Sequence, residues 1–293
     1  MQQEFSLYRY LFLTLRPSMG KYLLFILLLG FLGLSCKSSY EKIRTSGDAQ
    51  LMLKTANKLY AEKSYFKAST LYDLIFSNFR GQKEAEDIYY NNAYCNYYLS
   101  NYETANYMFT NYSNTFFNST RKEEAEFMAA YASYKLSPNY KLDQSSTLKA
   151  IDQFQTFANN YPESKRIKEC NQLIDELRLK LEIKAFEQGK LYYNIQYYQS
   201  SISTLTNLLT DFPETKNEKE IRSLMIKASY EWAINSIFEK QKERFLKTVE
   251  LSDIYLNKFP SGKNQEIKDI RKKAINKSNN PLYNGYKDTS SKN

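Results

Sequence analysis

Histidine is absent from this 293-residue chain. That removes the usual general base near neutral pH, the Ser-His and Cys-His nucleophile pairs, and every His-ligated metal site. No G-x-G-x-x-G, P-loop or Cys-x2-Cys occurs either. Adjacent carboxylates such as Glu123/Glu124 and Asp175/Glu176 point in different directions on a helix and read as solvated faces. No enzyme, cofactor or metal is expected. With only eight Gly and six Pro, and no strand-type alternation of useful length, tight turns and sheets are also not expected. The chain reads as all-α.

What is present is a repeated pattern: an aromatic residue, a small one three places on, and an aromatic or large apolar one four places further. The clearest copies are Tyr65-x2-Ala68-x3-Tyr72 and Tyr102-x2-Ala105-x3-Phe109, 37 residues apart. Further copies centre on Ala150, Ser201 and Thr248, and a second small residue stands twelve places upstream at Ala56 and Ala93. Three copies close with Tyr161-Pro162, Phe212-Pro213 and Phe259-Pro260, where Pro stops a helix. The pattern resembles the tetratricopeptide repeat, which implies a superhelix of about five helical hairpins, each needing its neighbour to bury its apolar face. Repeats fall at about 49–80, 86–117, 123–162, 182–213 and 219–260. Copies three and five are stretched by about eight residues between their helices.

Near the N-terminus, Arg16 and Lys21 precede an apolar run from Tyr22 to Leu34, too short for a comfortable membrane span, which ends Gly33-Leu34-Ser35-Cys36. This resembles a bacterial lipoprotein signal peptide over residues 1–35, with Cys36 as the lipidation site; Gly33 stands where Leu is usual. A start at Met19 gives a leader of ordinary length. Lys37-Ser38-Ser39 follows the Cys, without an acidic residue. By analogy with lipoprotein sorting, the exported protein is anchored in the outer membrane and faces the periplasm. The formal charge of +9 falls to +7 without Arg9, Arg16, Lys21 and Glu4. Export disfavours nucleic acid as the partner of this basic chain; an anionic membrane surface or acidic partner is the better use.

Residues 36–48 read as a lipidated polar tether and 49–162 as repeats one to three. A linking helix from Lys165 to Lys184, periodic through Ile167, Leu173, Ile174, Leu177 and Leu181, joins them to repeats four and five within 163–260. Residues 261–293 form a C-terminal extension, largely disordered from about 276, where Lys, Asn and Ser dominate. Cys95 and Cys170 read as small packing residues, not a disulfide.

In such hairpins the position four after the first helix's small residue faces the concave side, and here it holds Tyr60, Tyr97, Tyr134, Tyr193 and Trp232. Tyr90, Tyr94, Phe127 and Tyr131 extend the ring-lined wall. Tyrosine gives large contact area with few rotors to freeze, which suits binding. The competing reading is that these rings hold neighbouring helices together.

The order of features resembles the BamD family, outer-membrane lipoproteins of the β-barrel assembly machinery. The features are a lipobox, five repeats, an insert before Asp143, the Tyr161-Pro162-Glu163-Ser164 close, and a long helix through Leu177-Arg178. That resemblance implies a non-enzymatic adaptor with a covalent lipid on Cys36 and no other cofactor. It implies that the N-terminal repeats receive unfolded outer-membrane β-barrel proteins by their C-terminal strand. The ring-lined wall read from the repeat register fits that role, with Tyr60, Tyr90, Tyr94, Tyr97, Phe127, Tyr131 and Tyr134 as expected contacts and tyrosine hydroxyls, Asn92 or Asn96 bonding the strand's backbone. It implies that the C-terminal repeats bind the periplasmic domains of a BamA-like barrel protein, with Arg178 coupling the halves. Two alternatives are a repeat lipoprotein of envelope and peptidoglycan maintenance and a glycan-capturing lipoprotein of the SusD type. The first lacks its usual coiled coil here; the second needs a larger sugar platform and more Trp than the one present.

Overall fold

The computed structural model describes residues 39–285 apart from Lys263. The expected signal peptide, the Met19 start and Cys36 lie outside the described residues, as do residues 286–293. Among the described residues there is no strand. Two compact units form, divided at Ser100/Asn101. The sequence groups repeats one to three (49–162) apart from the linking helix with repeats four and five (163–260). That boundary falls inside the second unit because repeats three and four are tied together by the contacts described below.

In the first unit, α1 (Ser39–Arg44) leads to α2 (Ala49–Ala61), α3 (Tyr65–Ile75) with a 3-10 turn at Phe76–Phe79, and α4 (Glu84–Tyr98). Asp48 caps α2 by accepting from the Leu51 amide at 3.0 Å. The core joins Met52, Leu53 and Ala56 of α2, Leu71, Tyr72 and Ile75 of α3, Phe79, and Ile88 and Cys95 of α4. Tyr40 and Ile43 of α1 pack against it, and the Tyr40 hydroxyl donates to the Lys67 carbonyl at 3.2 Å. The segment expected to be a polar tether is thus helical from Ser39 and attached, since two apolar residues spaced as Tyr40 and Ile43 share one face.

The second unit continues α5 (Tyr102–Thr115), α6 (Lys122–Leu136), α7 (Ser145–Asn160), α8 (Ile167–Asn194), α9 (Tyr198–Asp211), α10 (Glu218–Ile234), α11 (Phe238–Lys258), α12 (Gln265–Ser278) and α13 (Leu282–Gly285). All five signature small residues, Ala68, Ala105, Ala150, Ser201 and Thr248, are 0% exposed, as are their upstream partners Ala56, Ala93, Ala130 and Ala228. Helices approach closely at these points because no larger side chain intervenes. In repeat four the upstream position is Gly189, where a Cβ would stand 2.5 Å from Leu205 Cδ2 and 2.7 Å from its Cγ. The Ser201 hydroxyl donates to the Gly189 carbonyl at 2.8 Å across the same contact.

The turn from first to second helix repeats its geometry in three hairpins. Lys63, Ser100 and Gln196 adopt φ of 59°, 63° and 65°, the left-handed residue that closes a helix. Around the first and third of these, the Ser64 amide donates to Leu59 O and the Tyr197 amide to Tyr192 O, both at 2.8 Å. The two stretched copies differ from each other. In repeat three the extra residues form the insert Ser137–Gln144, pinned to α8. Lys180 Nζ donates to Ser137 Oγ at 2.6 Å, and Lys184 Nζ to the carbonyls of Tyr140 and Leu142 at 3.2 and 2.8 Å. In repeat five they lengthen the second helix: α11 has 21 residues against 14 for α9.

Successive helices also share buried polar contacts, each different. The Ser69 hydroxyl donates to Asn92 Oδ1 at 2.7 Å, and Asn92 Nδ2 to Asp73 at 2.6 Å. Asn106 Nδ2 donates to Ala129 O, Ser133 Oγ and Gln153 Oε1, while Lys149 Nζ donates to Asn106 Oδ1 at 2.7 Å. Ser229 and Thr248 meet at 2.9 Å. Among the described residues no buried side-chain polar atom is left without a partner. Cys95 and Cys170 are buried and unbonded, as the sequence suggested. Burial pushes their thiols up to about 12 and about 11, so neither is a reactive thiolate at neutral pH.

Order also extends beyond residue 276. Helix α12 runs to Ser278, burying Ile267 and Ala274, and Tyr283 stacks on Phe238 at 4.6 Å. One period-matched apolar face among many lysines suffices to dock it.

Replacing Gly189 by Ala should lower stability. Leu205 is fully buried and has nowhere to turn, so overpacking costs about 1–3 kcal/mol, offset by up to ~1 kcal/mol of helix propensity. Urea unfolding of Gly189→Ala should show a lower midpoint at unchanged slope; an unchanged or raised midpoint would contradict the close-approach reading.

Candidate functional site

The seven expected rings fall in two units, Tyr60, Tyr90, Tyr94 and Tyr97 in the first, and Phe127, Tyr131 and Tyr134 in the second. On α4 the rings follow helical spacing. Tyr90 meets Tyr94 edge-on at 5.1 Å, Tyr94 stacks on Tyr98 at 5.9 Å, and Tyr97 meets Tyr98 at 5.6 Å. Tyr98 also stacks on Tyr65 of α3 at 4.5 Å, and Tyr65 meets Tyr60 at 5.9 Å. The result is a continuous ladder of rings with Tyr98 at its centre, 49% exposed. Sequence reasoning missed Tyr98 and Tyr65. The signal was there: Tyr90, Tyr94 and Tyr98 are spaced by four and must share a helix face.

The two ends of this ladder differ in environment. Tyr60 packs against the first core, and burial raises its hydroxyl pKa well above the ordinary tyrosine value. Tyr90, Tyr94 and Tyr97 are half-buried. Asn92 and Asn96, expected to bond a client backbone, are instead buried at 4% and 8% exposure. Asn92 serves Ser69 and Asp73, and Asn96 Nδ2 donates to the Asn92 carbonyl at 3.0 Å. Asn92 is turned to the preceding helix α3 and Asn96 to Asn92 on its own helix, so neither amide stands open to an incoming strand.

In the second unit the three rings of α6 also stack, Phe127 on Tyr131 at 5.8 Å and Tyr131 on Tyr134 at 5.6 Å. Phe127 must be removed from the binding set. It is 2% exposed, wedged between Phe154 and Phe157 of α7, with the Arg166 guanidinium 4.0 Å above it. Arg166 is fixed there by Glu124 at 2.7 Å. Tyr131 and Tyr134 are half-buried. The Tyr134 hydroxyl donates to Glu176 of α8 at 2.8 Å. That bond, with lesser help from burial, pushes the phenol up to about 12, so it remains a donor throughout the physiological range. Tyr134 therefore ties repeat three to the linking helix while its ring face continues the stack. Further along, Tyr193 meets Tyr198 at 5.8 Å and Trp232 carries the Arg244 guanidinium at 3.9 Å.

Arg178 lies on α8 as expected, but it is not a loose charge. Its Nη2 donates to Glu214 Oε1 at 2.7 Å and to the Asp211 carbonyl at 3.3 Å, and the guanidinium lies 5.2 Å from the Phe212 ring. It clamps the long helix to the Phe212-Pro213 corner that ends repeat four. Among the described residues no group of His, Cys, Asp or Glu could hold a metal, and no helix is long and apolar enough to cross a membrane.

The helical hairpins with buried small-residue contacts and half-exposed aromatic ladders define a helical-repeat protein. Residues 46–245 match the family described as YfiO, outer membrane lipoprotein. The chain belongs to that family, and its expected localisation at the outer membrane accords with it. No curated protein matches the chain. Among solved structures, a TPR2AB-domain:pHSP90-complex of yeast Sti1 is similar over 78% of this chain and 98% of that one, at 15% identity and a TM-score of 0.35. A likeness of that size bears on nothing further.

Core and presented rings should separate on truncation. Phe127→Ala should cost about 3–5 kcal/mol in urea unfolding, as expected for a fully buried aromatic. Tyr98→Ala, removing a half-exposed ring, should cost less than half of that. Equal losses would show that the ladder is core throughout.

Proposed function

We propose that this chain is a non-enzymatic adaptor of the β-barrel assembly machinery, anchored by a lipid on Cys36 and facing the periplasm. In this reading it receives unfolded outer-membrane β-barrel proteins and binds a BamA-like protein through that protein's periplasmic domains. The observation that carries the proposal is the half-exposed ring ladder of the first unit in a chain of the outer membrane lipoprotein family. Barrel proteins end in alternating apolar side chains, and an extended segment can lay them across Tyr65, Tyr94 and Tyr98 while tyrosine hydroxyls bond its backbone. Ordering a disordered segment costs several kcal/mol, so binding stays modest and release stays easy.

The second unit supports the other half of the role. Tyr134 to Glu176, the lysine-pinned insert and the Arg178 clamp bind repeats three and four to α8. Arg178 then acts by holding the surface that meets the BamA-like partner, not by offering a free charge.

For the client site, Tyr94→Ala with Tyr98→Ala should weaken binding of a peptide copying a barrel protein's C-terminal strand about tenfold or more, as loss of two hot-spot rings does. Thermal unfolding should move little. Unchanged affinity in a folded variant would remove the ladder from client recognition.

For the partner site, Arg178→Leu should reduce co-purification of the BamA-like protein from solubilised outer membrane. Stability should fall by no more than about 1 kcal/mol, the usual worth of a partly exposed ion pair. Undiminished co-purification would make the clamp purely structural, and failure of wild type to recover any such protein would reject the adaptor role.

A further inference from the structure

We propose that the end of the second unit formed by the α10–α11 turn, the C-terminal half of α12 and α13 is a contact tip for the anionic headgroups of a phospholipid surface. The proposal stands on the family's membrane setting and does not depend on the adaptor role. Helix α12 runs against the last hairpin with a fixed direction. Ile267 near its start meets Ile226 and Tyr255, and Ala274 near its end meets Ala233 and Phe245. Its C-terminal half therefore lies beside the end of α10 and the beginning of α11.

The opposite side of α12 is solvent-exposed and basic, carrying Lys268, Lys272, Lys273 and Lys277. The helix's other charges have partners: Arg271 turns to Asp253 at 2.5 Å, Glu266 is held by Lys227 at 2.8 Å, and Asp269 accepts from Gln265 at 2.9 Å. No acidic residue pairs with the four lysines among the described residues. At the same end two aliphatic side chains stand in water, Ile237 at 69% and Leu282 at 68% exposure. Leu282 is held there because its neighbour Tyr283 stacks on Phe238 at 4.6 Å and donates to Gln241 Oε1 at 3.0 Å.

This composition fits a lipid surface better than a protein. Protein interfaces are built on aromatic and Arg anchors and are depleted in Lys. Here the helix's single Arg is engaged by Asp253, leaving the unpaired lysines outermost. A lysine ammonium is compact and strongly hydrated, so it meets mobile phosphates without needing fixed geometry. Isolated aliphatics beside a lysine-rich helix face suit shallow entry at the headgroup boundary. Each lysine near such a surface strengthens association roughly fivefold.

The test uses the exported chain from residue 36 carrying Cys36→Ala, which cannot be acylated, floated with phosphatidylcholine vesicles with or without phosphatidylglycerol. Binding should require phosphatidylglycerol and fall steeply with added salt. Lys272→Gln, Lys273→Gln and Lys277→Gln together should weaken it at least about tenfold. Ile237→Asn with Leu282→Asn should remove the portion that survives salt. All five positions are outside the core, so melting temperatures should hold and certify the fold. Equal binding to neutral vesicles, an unchanged triple-lysine variant, or complete competition by millimolar inorganic phosphate would overturn the proposal. So would failure to float combined with retention on polyglutamate, which would assign the face to an acidic protein.

Discussion

Everything in this molecule depends on helices touching where a side chain is nearly absent. Nine small positions across the repeats are completely buried, and at Gly189 even a methyl group collides with Leu205. Close packing at these points sets the angle at which the first helix of a hairpin meets the second. That angle decides which residues four places on are swallowed and which remain at the surface. On α4, Ala93 is buried, and Tyr90, Tyr94 and Tyr98, spaced by four, line up on another side of the helix.

The small-residue contacts, the proline-ended helices and the linking helix were all legible from spacing alone, because each is a local property of helical period. Depth was not. Phe127 and Tyr131 sit one turn apart on the same stripe, and nothing in the period says that Phe154, Phe157 and Arg166 close over one and leave the other half open. Asn92 and Asn96 differ from expectation for the same reason: an amide on a helix looks available until a packed neighbour, here α3 for Asn92, supplies its partner. Extra residues in repeats three and five look alike as an insertion length, yet one set forms an insert and the other adds turns. The lysines of α8 that bond the insert are 42 to 44 residues away and carry no local signal. The fold was therefore read more completely than the site.

The half-exposed rings and the buried ones use the same chemistry at different depth. Buried, as at Phe127, aromatic contact area stabilises the unit. Half-exposed, as at Tyr94 and Tyr98, the same area is available to a passing segment, and the rings brace one another so that little order has to be imposed on binding. In the proposed adaptor role, rigidity of the receiving surface and looseness of the received segment are complementary. The Arg178 clamp and the Tyr134 bond do for α8 what ring stacking does for α4, holding a surface in shape with contacts that are themselves partly exposed.

The buried polar contacts between successive helices have an evolutionary consequence. Ser69 with Asn92, and Asn106 with Ser133, Gln153 and Lys149, are two different locks between one hairpin and the next. An array held only by apolar faces could gain or lose a hairpin, because any face would accept any other. Here a deleted or duplicated hairpin would set an amide against the wrong neighbour and strand it in the interior, at a cost of about 1–3 kcal/mol for each orphaned group. Repeat number in this lineage is for that reason hard to change by unequal recombination, even while exposed residues drift. The repeats share one pattern of small residues, but the polar contacts that join them are not interchangeable.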